Sequence, residues 1–142
     1  MRTVVLLLLA AVAGLVFAQD RIELLRLSAS DFDWGDDTQE IVRRFLVGDR
    51  TKAEMYAYRV RFPEGTRIDP HYHPENRIVT VIDGTLHMGY GEQFDEASMA
   101  PLEAGSLWTE PGGQPHYVWA KSGPVVIQII GYGPTATTQV TP

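Results

Sequence analysis

All four histidines of this 142-residue chain lie in its second half, and two of them, His71 and His73, are separated by a single residue. On an extended strand, residues two apart project to the same face. Two imidazoles on one face can share one ion, and imidazole nitrogen suits zinc, copper, iron, nickel and manganese in varying degree. A lone histidine is more often a packed or surface residue than a ligand, whereas a His-x-His pair beside a strand carries a metal hypothesis. His116 follows a Pro111-Gly112-Gly113 turn and opens a further apolar stretch. The chain has no cysteine, so no thiolate can serve as ligand or nucleophile. It also offers no Ser/His/Asp arrangement, phosphate-cradling glycine loop or nucleotide motif.

The elements that would position these histidines read as strands. Tyr56, Tyr58, Val60 and Phe62 alternate with Ala57, Arg59 and Arg61, the period of a strand with one buried face. Ile41 to Val47 precedes it and ends at a Gly48-Asp49 turn. Ile78 to Ile82 is β-branched, and Asp83-Gly84 is a strong hairpin signal returning as Thr85 to Tyr90. Gly91 to Ala100 is polar and predicts a loop or a single helical turn. Leu107 to Thr109, His116 to Trp119 and Val125 to Ile130 predict the last strands. Many short strands with regular Gly/Pro punctuation indicate an all-β sandwich or barrel. Residues 19 to 37 are mixed and acidic; Ile22, Leu24, Leu25 and Leu27 suit either a strand or a short helix, packed on the outside of the main body.

Gly65, His71-Tyr72-His73 and Gly84 together resemble the first motif of the cupin superfamily. In that motif a glycine precedes His-x-His, a glutamate follows, and a glycine closes the hairpin. Gly105, Pro111-Gly112-Gly113 and His116 resemble the second motif, spacing included. The two matches span residues 65–84 and 105–120. The resemblance implies a double-stranded β-helix, or jelly-roll barrel, over residues 19–142. It also implies a divalent transition metal (Fe, Mn, Zn, Ni or Cu) held by His71, His73 and His116 inside the barrel mouth. His87 has no counterpart among the ligands and is expected to be a wall or surface residue.

Two positions depart from the family pattern. Counting back from Gly84, Arg77 stands where the first motif carries its glutamate, and Ala120 replaces the asparagine that often ends the second. Glu75 could supply the missing carboxylate if the turn reshapes. Alternatively the ion keeps three histidines and open positions, or Arg77 binds a substrate carboxylate or phosphate bidentately. Arg77 could also simply pair with Glu75 or Asp83. Glu110 enters the second turn and is a further carboxylate candidate. Gln128 interrupts the apolar run of the last strand and is a candidate polar wall residue, for which a substrate would supply hydrogen-bond partners.

Met1-Arg2, the apolar run Val4 to Phe17, and Val16-Phe17-Ala18 before polar Gln19-Asp20 have the organisation of a secretory leader cleaved after residue 18. That run is shorter than the roughly 20 residues a bilayer span needs. An exported location, periplasmic or extracellular, is therefore expected. A formal charge of −6 argues against nucleic acid and anionic membranes as partners. A small-molecule ligand is expected, and the resemblance adds a homodimer. Two functions remain level: a metal-dependent enzyme (dioxygenase, or isomerase or lyase) on a small anionic organic substrate, and a non-catalytic small-molecule or metal-binding module. A structural barrel ranks below both.

Overall fold

A computed structural model describes residues 22–35 and 39–141. The expected leader, residues 1–18, lies outside the described residues. Ten strands follow in order: β1 (Val42–Val47), β2 (Met55–Phe62), β3 (Arg67–Tyr72), β4 (Arg77–Asp83), β5 (Thr85–Tyr90), β6 (Ala100–Glu103), β7 (Leu107–Glu110), β8 (His116–Trp119), β9 (Val125–Tyr132) and β10 (Thr138–Gln139). They form two antiparallel five-stranded sheets, ordered β1-β2-β9-β4-β7 and β10-β3-β8-β5-β6. The chain crosses between the sheets repeatedly, so sequence-distant strands become neighbours, as in a jelly roll.

The alternation read in β2 decides its placement. Tyr56, Tyr58, Val60 and Phe62 are buried, and they align with the inward-facing Ile127 and Ile129 of β9, which in turn face Val79 and Val81 of β4. Leu86, Met88 and Val118 come from the opposite sheet to complete the core. The Asp83-Gly84 turn forms, but the expected hairpin does not: β4 pairs with β7 and β9 in the first sheet and β5 with β6 and β8 in the second, so the turn carries the chain from one sheet to the other. Gly84 has a positive φ of 79°, and a Cβ there would sit 2.4 Å from the Pro124 carbonyl oxygen, so only glycine fits this turn.

The leading segment is neither strand nor α-helix. It is extended, with one 3-10 turn at Ala29–Asp31, and it lies across the outer face of β2. Phe32 stacks under the Arg59 guanidinium at 4.2 Å, and Trp34 lies 6.0 Å from that of Arg61. The outward arginines of β2 thus hold the segment by cation–π contact.

Between the sheets remains a cavity of about 280 Å³. Its wall is apolar over Val60, Phe62, Ile68, Val118, Ile127 and Ile129, and the three histidines lie within it.

Candidate metal centre

The first and third histidines face each other across a strand pair. His71 of β3 is directly opposite His116 of β8, and His73 lies just past the end of β3. Their rings approach to 4.4 Å for His71–His116, 5.0 Å for His71–His73 and 5.3 Å for His73–His116. One nitrogen of each lies within 4.8 Å of the others, and all three residues are buried. The pairing of β3 with β8 therefore brings together residues that lie 45 positions apart in the chain, a separation no local pattern spans.

Each ring is oriented from behind. The Nδ1 of His71 lies 2.9 Å from the Asp69 carbonyl oxygen, that of His73 2.7 Å from Ala136, and that of His116 3.1 Å from Gln114. A carbonyl only accepts, so each Nδ1 carries the proton and donates it. Each Nε2 is left as a lone pair. Burial holds His71 and His73 below the usual imidazole range, His73 at about 4, where the Arg77 charge adds to the effect. Both are therefore neutral at neutral pH, the form that binds metal.

The second turn is docked on the first. Gly113 N–H donates to the His73 carbonyl at 2.7 Å, and Gly112 N–H to the Asn76 side chain at 2.8 Å. A Cβ on Gly112 would stand 2.5 Å from the Pro74 carbonyl oxygen. Gly112→Ala should therefore destabilise the fold by about 1–3 kcal/mol, measured by urea unfolding. An unchanged midpoint would show that the turn relaxes at no cost.

The carboxylates are arranged otherwise than expected. Glu75 turns away from the histidines: its Oε1 accepts from Arg77 Nε at 2.7 Å and from the Tyr56 hydroxyl at 2.5 Å. Burial drives the Tyr56 phenol well above its ordinary range, so it remains a donor. Arg77 is itself buried and also donates to the Thr135 hydroxyl. Its other carboxylate neighbour is Glu110, with Nη1 3.6 Å from Oε2. Arg77 is thus paired with protein carboxylates while also lining the cavity. It is Glu110 that reaches the histidines, with Oε1 3.3 Å from His116 Nε2 and Oε2 3.7 Å from His73 Nε2. Burial works to raise its carboxyl. The neighbouring His116, Arg77 and His73 side chains outweigh burial and hold it below the usual range.

Gln128 is placed elsewhere. Burial along β9 alternates, with Val125, Ile127 and Ile129 inward, so Gln128 projects from the opposite face and accepts from Arg59 Nε at 3.0 Å. The period-two rule already assigned that face. His87 is half-buried on β5 between the inward-facing Leu86 and Met88, opposite Trp119 in register, and is not among the cavity residues. The cavity also holds two arginines that the motifs did not single out. Arg43 and Arg50 are exposed where they line it, and neither is in an ion pair among the described residues. Arg43 was legible only through its register with inward-facing Val60.

The donor set fits a metal ion. Three lone pairs and an anionic oxygen, all on buried side chains, converge. His116 Nε2 and Glu110 Oε2 are buried without a hydrogen-bond partner, a costly state that a cation would relieve.

Fold and site together define a small jelly-roll barrel with a three-histidine cluster between its sheets. A cupin domain model matches residues 58–130, and the chain belongs to that family. Among solved structures it is similar to an uncharacterized conserved protein with a double-stranded β-helix domain from Klebsiella pneumoniae, at 18% identity, TM-score 0.64, and coverage of 84% of this chain and 100% of that one. It is also similar to KdgF from Halomonas sp., at 21% identity, TM-score 0.56, covering 75% and 93% of the two chains. A third likeness is to the DMSP lyase DddQ from Ruegeria pomeroyi, at 20% identity and TM-score 0.58, covering 80% of this chain but 58% of the lyase. At these identities the likeness concerns the fold. No curated protein matches the sequence.

Proposed function

We propose that this chain is an exported metal-dependent enzyme that binds a divalent transition metal (Fe, Mn, Zn, Ni or Cu) through His71, His73 and His116 and acts on a small anionic organic molecule. The observation that carries this reading is the convergence of three buried imidazoles, each with its Nδ1 committed to a backbone carbonyl. That commitment aims each Nε2 and strengthens it as a donor to metal. A bound ion would supply Lewis acidity, or redox chemistry if the metal allows it. The protein's own part is to fix the ligands, exclude water and orient the organic molecule. The apolar wall suits a hydrocarbon body, and Arg43 and Arg50 at the exposed end suit a carboxylate. The relatives include proteins named as a lyase and as a salicylate 1,2-dioxygenase, both classes this arrangement could serve. The leader-like first 18 residues support export.

Metal analysis of the purified mature protein should find one equivalent of a transition metal; protein that takes up none from any of the five would overturn the reading. The anion is tested separately by titrating a panel of small aromatic and aliphatic carboxylates. Replacing Arg43 and Arg50 together by Gln should weaken the best of them by roughly tenfold. Equal binding by both proteins would remove these arginines from recognition.

A further inference from the structure

We propose that Glu110 is a fourth protein ligand of the metal, delivered from β7, and that Arg77 is the residue that positions it. This rests on the metal reading above and specifies the coordination of that same site. In the family pattern the carboxylate belongs to the first motif, at the place of Arg77. Here Arg77 and Glu110 are directly opposed in the register of β4 and β7, and both side chains are buried. The carboxylate therefore stands on the other side of one rung of the sheet from the place where the family pattern has it, at the same level of the barrel.

Three observations favour ligation over a plain ion pair. First, Glu110 contacts two of the three histidines, His116 and His73, through different oxygens. Second, its Oε2 and the His116 Nε2 are both buried without a hydrogen-bond partner. His116 already donates through Nδ1, so in the neutral ring its Nε2 and Glu110 Oε1 are two lone pairs 3.3 Å apart, with the unpartnered Oε2 beside them. Neither supplies a proton to the other, and a cation between them satisfies both. Third, the remaining donors around Glu110 are accounted for without filling that space. The Trp108 indole N–H reaches Oε1 from the side at 3.2 Å, and Arg77 stands 3.6 Å from Oε2.

The charges agree. Glu75 takes the Arg77 Nε at 2.7 Å and neutralises it. That leaves the Glu110 charge for the ion, so three neutral imidazoles and one carboxylate face the pocket. Arg77 acts through Glu110 and through the Tyr56–Glu75–Thr135 network, not on the metal.

The test uses cobalt(II) as probe on metal-free protein, read by its visible absorption bands and by competition with a chromophoric chelator. Wild type should bind one equivalent. Glu110→Gln should bind about 100-fold more weakly, with changed cobalt bands, because an anionic oxygen has left the coordination sphere. Arg77→Lys should keep the stoichiometry with about tenfold weaker binding, as expected of a residue that orients a ligand. If Glu110→Gln folds poorly, Glu110→Asp retracts the carboxylate by one methylene and keeps its charge. Its cobalt bands should also shift. Wild-type bands and affinity in either Glu110 variant, with binding abolished in His116→Ala, would overturn this assignment and leave the three-histidine site standing. Failure of wild type itself to bind cobalt would overturn both.

Discussion

His116→Ala is expected to reduce bound metal from one equivalent to less than a tenth, and to remove the thermal stabilisation that metal gives wild type. His116 is the hub of the cluster: it is 1% exposed, its ring is 4.4 Å from that of His71, and its Nε2 is the atom nearest Glu110. At a metal concentration a thousandfold above the dissociation constant, binding stabilises the folded state by about 4 kcal/mol. For a domain of this size that raises Tm by roughly 10 °C. The variant should show no such rise on adding metal, although its metal-free Tm falls by far less because alanine removes a group lacking a partner at Nε2. A variant that still gained several degrees from zinc or manganese would place the metal elsewhere.

Arg77→Met is expected to be the most damaging single change to the metal-free fold. Methionine fills most of the volume but leaves Glu75 and Glu110 without their cation. Removing one partner of a buried charge pair costs about 3–5 kcal/mol. The pH dependence follows with a definite sign. In wild type both carboxyls are held below the ordinary glutamate range. They contribute stability above that range, and it is lost as pH falls through their lower folded values. In the variant one of the groups that oppose burial is lost, so the folded carboxyls titrate higher than in wild type. The deficit should therefore be full at neutral pH and shrink as pH falls through the folded values of the variant toward those of wild type. Urea unfolding at pH 7.5 and at about pH 4 measures both. A uniform deficit at the two values would mean that the cost is packing alone.

How much of this was legible in the sequence depends on whether the information is local. The turn at Gly84 and the strands around it were readable because alternation and turn chemistry act within a few residues, but the pairing was not: the turn joins two sheets instead of closing a hairpin. His71 and His73 share a face for the same reason. The convergence of His116 needed the family motif, because nothing local encodes the pairing of β3 with β8. Glu110 was visible only as one carboxylate among several. What singles it out is the β4–β7 register, which links positions 33 residues apart. Glu75 looked closer in sequence, yet the Arg77 and Tyr56 donors capture it first. Gln128 looked like a wall residue because it broke an apolar run. The run is apolar on both faces, since the outer face of β9 carries Ile130 as well, so the interruption did not mark the cavity side.

The rung shared by Arg77 and Glu110 also constrains how this chain can change. Arg77→Glu alone would gather three carboxylates, with Glu75 and Glu110, in one buried space. Glu110→Arg alone would turn two guanidiniums toward the imidazoles. Each single step crosses a valley of several kcal/mol, whereas the double exchange restores charge balance. The two positions are therefore energetically interlocked. In any lineage that carries this barrel they are expected to change together or not at all, so the identity at either one forecasts the strand from which the anion is supplied.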